Sequence, residues 1–124
     1  MHGRLCDNGC MRSALLKGHL DALVLAVLAE GPAHGYSILT ALRVRTGGAI
    51  SLQGGSLYPT LRRLEAAGLV GSKWDAEHGR PRRVYTLREK GRRQLESDRG
   101  AWDEFVRALN PLLGTNLNLD KGHR

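Results

Sequence analysis

The sequence predicts an α+β fold, mostly α, on three observations. Leucines and valines at helical spacing fill the chain between residues 16 and 46. Leu57, Leu61 and Leu64 then repeat that spacing at i, i+4 and i+7 over one short helix. After them the period changes to that of strands across residues 69–87, before a last long helical pattern begins at Glu89. At 124 residues the chain is one domain by size, with a core modest enough that a partner subunit would help.

The first helix is predicted from Leu16 to Leu28, where Leu16, Leu20, Leu23, Val24, Val27 and Leu28 share a face. Gly31 and Pro32 close it. A second helix is predicted from His34 to Thr46, buried through Ile38, Leu39 and Leu42 and stopped by Gly47 and Gly48. Arg43 and Arg45 stand at its C-terminal end, where the helix dipole favours them as well as a phosphate would. The run Ala49–Gln53 is too short for a helix and reads as a connector or a minor strand.

The stretch Gly54–Leu87 organises the rest. Pro59 is tolerated only near a first turn, so the third helix starts between Gly54 and Ser56, and Gly68 stops it. With Leu57, Leu61 and Leu64 turned inward, Gly55, Pro59, Arg62 and Ala66 lie opposite, flanked by Ser56 and Arg63. That outer face is small at its N-terminal end and basic further on, a profile suited to a nucleic-acid groove. Leu69–Asp75 and Arg82–Leu87 then read as two strands joined by the turn-forming run AEHGRP, with His78, Arg80, Arg82 and Arg83 at or beside the tip. A Leu stripe is ordinary core packing, and a basic hairpin alone is more often a solvated turn. Together they give the layout of a winged helix-turn-helix, with one helix for the major groove and a basic wing beside it.

Charge follows that layout. Residues 1–54 carry five Lys/Arg against three Asp/Glu, residues 55–93 ten against four, and residues 94–124 four against five. Of the formal net charge of +7, the excess therefore sits on the third helix, the wing and the turn after it, the footprint of a polyanion binder. No single amphipathic helix concentrates it, which argues against a membrane surface.

Beyond Leu87 a helix is predicted from Glu89 to Asn110, ended or kinked by Pro111. Leu95, Trp102 and Leu109 recur every seven residues, with Phe105 and Leu112 three after two of them, a short a/d seam for a partner helix or for the first helix. The expected organisation is a flexible arm at 1–14, a winged helix-turn-helix at 15–87, a dimerisation helix at 88–113 and a flexible tail at 114–124. No catalytic constellation appears and the five histidines are scattered, so no enzyme activity and no cofactor are expected. The run QGGS lacks the Lys and Ser/Thr of a phosphate-binding loop. His2, Cys6 and Cys10 offer a weak metal-ligand pattern without a second pair, and reduced thiols on a frayed arm are the plainer reading. No apolar run suits a bilayer and the N-terminus lacks the apolar middle of a signal peptide, so a cytoplasmic protein is expected.

The segments Leu23–Leu39, Gly54–Val70 and Gly79–Gly91, in this order and spacing, resemble the PadR family of bacterial transcriptional regulators across about two thirds of the chain. SLYPTLRRLE and RPRRVY together carry the resemblance most specifically, and the single helix after the wing is similar to the family's smaller branch. The resemblance implies a homodimeric repressor on a palindromic operator in double-stranded DNA. It makes Ser56, Tyr58 and Arg62 the recognition-helix contacts and Arg80 and Arg82 the wing contacts, with Tyr58 and Tyr85 equally readable as core. It further implies an effector site, because multidrug-sensing members carry a Trp eleven residues after the glycine that here is Gly91. That position is Trp102, a platform for a small aromatic ligand or a plain interface anchor. Arg88 replaces the Thr that the family often places there as a cap, so the start of the last helix is expected to shift or fray. Two other functions compete with a DNA-binding repressor: a winged-helix adaptor for an acidic protein partner, and a metal-sensing repressor using His2, Cys6 and Cys10.

Overall fold

A computed structural model describes residues 19–76 and 79–114. The N-terminal arm, Leu16, the His2/Cys6/Cys10 cluster, His78 and the tail beyond Gly114 lie outside the described residues. Within them the order is α1 (Leu20–Leu28), β1 (Ala33–His34), α2 (Gly35–Arg45), α3 (Gly54–Ala66), β2 (Val70–Asp75), β3 (Arg82–Leu87) and α4 (Glu89–Leu113). This is the winged helix-turn-helix predicted from the periods: a helical body with a small antiparallel sheet of order β1-β3-β2.

The core forms where the apolar faces of the elements meet. Val24, Leu25 and Leu28 of α1, Ile38 and Leu42 of α2, and Leu57, Leu61 and Leu64 of α3 close over Val70, Tyr85 and Leu87 of the sheet. Burying each of the three α3 leucines contributes about 2 kcal/mol, which holds that helix by one stripe and leaves the other face outward.

Three boundaries show how local chemistry sets the architecture. Gly47 and Gly48 both take positive φ after α2, and the Gly48 N–H reaches back to Arg43 O at 2.8 Å. After α3, Gly68 adopts φ 81°. Its N–H goes to Glu65 O, while the Leu69 N–H goes to Leu64 O, the paired bonds of a Schellman stop. The N-cap of α4 is Arg88, which makes no side-chain cap bond. The expected shift is absent, because the Arg88 N–H donates to Leu69 O at 3.0 Å and its own carbonyl accepts from Arg92 at 2.9 Å. Tertiary bonding holds the start that a hydroxyl was expected to hold.

Two readings left open above are now decided. The minor strand is Ala33–His34, whose residues pair with Tyr85 and Val84, whereas residues 49–53 form a connector that sends Ile50 into the core. Pro111 does not end α4: the helix runs through it to Leu113 and closes at Gly114, with φ 70° and an N–H to Asn110 O. Pro111 lacks the N–H that would bond the Arg107 carbonyl, and the last turn of α4 carries that loss.

The last helix is seated by a glycine. A Cβ on Gly91 would strike the Leu69 carbonyl and crowd the Leu87 side chain, whereas one on Gly100 would meet nothing within 4 Å. Gly91→Ala should therefore destabilise the fold by roughly 1–3 kcal/mol through overpacking. Gly100→Ala should stabilise it by up to about 1 kcal/mol through helix propensity. Urea denaturation of the two variants beside the parent checks the opposite signs.

Candidate nucleic-acid interface

The outer face of α3 is laid out as the apolar stripe requires. Ser56, Tyr58, Pro59, Arg62, Arg63 and Ala66 are all exposed, while Thr60 turns inward and its hydroxyl donates to Ser56 O at 3.0 Å. Tyr58 is 40 % exposed and has two roles. Its ring lies on the backbone of Gly35, the first residue of α2, and of Gly54, the first residue of α3, where a Cβ on Gly54 would stand 3.2 Å from Cε2. Tyr58 thus braces the two helix starts while keeping an outer edge. Tyr85, in contrast, is core.

The two arginines of α3 differ. Arg62 stays exposed, whereas the Arg63 fork closes on Asp21 of α1 through two bonds of 2.9 Å, Nη1 to Oδ2 and Nη2 to Oδ1. Hydrogen bonding to that carboxylate raises the Arg63 pKa further above its ordinary value. A bidentate pair of this kind fixes orientation, so Arg63 tethers α3 to α1 and Arg62 is the cation left facing outward. At the C-terminal end, Lys90 Nζ donates to Ala67 O at 2.9 Å and supplies positive charge at the carbonyl end of α3.

The wing follows from strand alternation. Val70, Ser72 and Trp74 share one face with their register partners Leu87, Tyr85 and Arg83. The other face carries Gly71, Lys73 and Asp75 opposite Thr86, Val84 and Arg82. Arg80 and Arg82 are exposed, Arg80 in the turn and Arg82 at the outer end of β3. Arg83 lies back along the hairpin, with its guanidinium carbon 5.0 Å from the Trp74 ring centroid. Sequence reading placed Arg83 at the tip without a partner, because the Trp74 pairing exists only once the hairpin register is set.

The effector and dimer candidates divide. Leu95 is 4 % exposed and belongs to the core of its own subunit, and Leu109 is half-buried. Trp102 and Phe105 stay about half exposed, their ring centroids 5.7 Å apart, and His19 meets Trp102 edge-on at 5.1 Å. The seam missed Val106, which is buried where α4 folds back along α1. An open cleft of about 520 Å³ runs beside Trp102, lined by Glu96, Arg99, Gly100, Asp103 and Val106. Among the described residues no group of His, Cys, Asp and Glu is placed to hold a metal ion, and no helix is long and apolar enough to cross a membrane.

The family model for the transcriptional regulator PadR-like family matches residues 24–97, more than half of the chain. The chain belongs to the PadR family. A PadR-like transcriptional regulator from Eggerthella lenta superposes with a TM-score of 0.72 at 36 % identity, covering 83 % of this chain and 88 % of that one. A transcriptional regulator of Mycobacterium tuberculosis is 49 % identical over 55 residues, 44 % of this chain. That match spans 51 % of the relative's length. The PadR of Bacillus subtilis, solved in complex with operator DNA, shares the fold at a TM-score of 0.58 and 24 % identity, covering 63 % of this chain and 44 % of that one.

At the junction of α3 and the wing, burial raises the pKa of Tyr85 above its ordinary value of 10, the neighbouring Arg83 opposing that shift. Above pH 10 the unfolded chain releases a proton that the folded chain retains, so stability falls as pH rises until the folded phenol also ionises. Tyr85→Phe should flatten this alkaline loss, which urea titrations between pH 9 and about pH 11 will show.

Proposed function

We propose that this PadR-family chain is a dimeric repressor that places α3 in the major groove of a palindromic operator and lays its wing on the flanking backbone. The carrying observation is the coincidence of an outward, small-to-basic α3 face with a wing that exposes Arg80 and Arg82, inside a region where ten Lys/Arg oppose four Asp/Glu. Ser56, Tyr58 and Arg62 are the groove contacts in this reading. Arg63 contributes as a tether and, at most, through its charge. The Bacillus subtilis relative, which shares the fold and is solved with operator DNA, supports DNA as the partner.

A second copy is the natural cover for α4. Trp102, Phe105, Leu112 and Leu113 are 51, 53, 79 and 64 % exposed, an apolar expanse that a lone subunit would leave in water. Two such subunits must hold their reading helices about 34 Å apart to meet successive major grooves. A planar aromatic effector stacked on Trp102 then releases DNA by favouring a differently spaced dimer.

Two measurements test this reading. Light scattering at micromolar concentration should give twice the chain mass, and a monomer would remove the paired-helix mechanism. On duplex fragments selected by the parent protein, affinity should fall steeply with salt, and Arg80→Ala should lower the slope of log affinity against log salt by about one. An unchanged slope takes the wing off the DNA, and indifference to duplex DNA with tight binding to a protein partner favours an adaptor instead.

A further inference from the structure

We propose that Glu65, Ser72 and Arg83 form a positioning relay that sets the angle of the wing to the reading helix, so that Ser72 governs DNA affinity without touching DNA. The proposal rests on the reading that the wing reaches the DNA backbone.

The need for a strut follows from topology. Strand β1 pairs only with Val84 and Tyr85 of β3, so from the Trp74–Arg83 pair outward the wing is a two-stranded ribbon. Such ribbons twist readily and are marginal when unsupported. At the level where the ribbon leaves the sheet, three side chains join it to α3. Glu65 lies in the last turn of α3, and its Oε2 accepts from Ser72 Oγ at 2.7 Å. Ser72 Oγ in turn accepts from Arg83 Nε at 3.0 Å.

The chemistry gives this chain one direction. A serine hydroxyl carries a single proton, and the carboxylate takes it, which leaves the oxygen lone pairs for the guanidinium N–H. Opposite charges at the two ends strengthen both bonds through the neutral hydroxyl between them. Arg83 is meanwhile stacked on Trp74, so the relay grips both strands of the ribbon and the end of α3 together. On the opposite face His34 Nε2 and Asp75 Oδ2 stand 3.9 Å apart, too far for a hydrogen bond. Arg83 therefore acts through geometry, and Arg80 and Arg82 are the cations whose reach it sets.

The test uses the full chain and a duplex recovered with it from a random-sequence DNA pool, with affinity measured across a series of KCl concentrations. Ser72→Ala should weaken binding about three- to thirty-fold and reduce the salt slope toward that of the Arg80→Ala/Arg82→Ala double variant. Adding Ser72→Ala to that double variant should cost nothing more, and Ser72→Thr, which keeps the hydroxyl, should bind as the parent does. Arg83→Lys keeps the charge but loses the planar fork, so it should behave as Ser72→Ala does. It also serves as the second probe if Ser72→Ala lowers the melting temperature enough to obscure binding. Parent-like binding by Arg83→Lys, or fully additive losses from Ser72→Ala and the wing arginines, would overturn the relay while leaving the wing on DNA. If the Arg80→Ala/Arg82→Ala variant keeps the parent's affinity and slope, the wing reading falls and takes the relay with it.

Discussion

The turn Ala67–Leu69 is the constraint on which the molecule depends. Four carbonyls meet there: Leu64 and Glu65 accept from the turn itself, Ala67 accepts from Lys90, and Leu69 accepts from Arg88. The Gly91 backbone presses on that same Leu69 carbonyl. The end of α3, the root of the wing and the first turn of the last helix are therefore fastened at one corner. Hydrogen bonds to these backbone carbonyls leave little room for one of the elements to turn alone.

The same end of α3 is also held by charge. The Asp21–Arg63 fork ties its outer side to the first turn of α1, the same turn that follows His19 and its edge contact with Trp102. The basic part of the outer α3 face thus divides, one arginine engaged within the subunit and one presented outward. An exposed ion pair adds little stability, and its value here is directional.

Most of the architecture was legible from periodicity and punctuation. The leucine stripe of α3, the glycine stops at 47, 48 and 68, and the change of period at Leu69 each act over a few residues, so neighbouring sequence carries the signal. What stayed hidden depends on partners far along the chain. Arg63 finds Asp21 across 42 positions and Arg83 finds Ser72 only through the hairpin register. The two-residue strand Ala33–His34 has no period of its own and exists because β3 had an unpaired edge. Leu95 and Val106 turn inward because α4 lies along α1, and a heptad pattern does not say which neighbour a helix will choose. The continuation through Pro111 is the reverse case, a local stop signal that the last turn of α4 overrides.

Tyr58 joins two properties that are usually tuned apart. The edge of its ring belongs to the exposed outer face of α3, while its flat side fills the space over Gly35 and Gly54, where α2 and α3 begin. Exchanging that residue for a smaller one to alter what is read would also let α2 and α3 draw together. Adding bulk at either glycine would push the ring out of place.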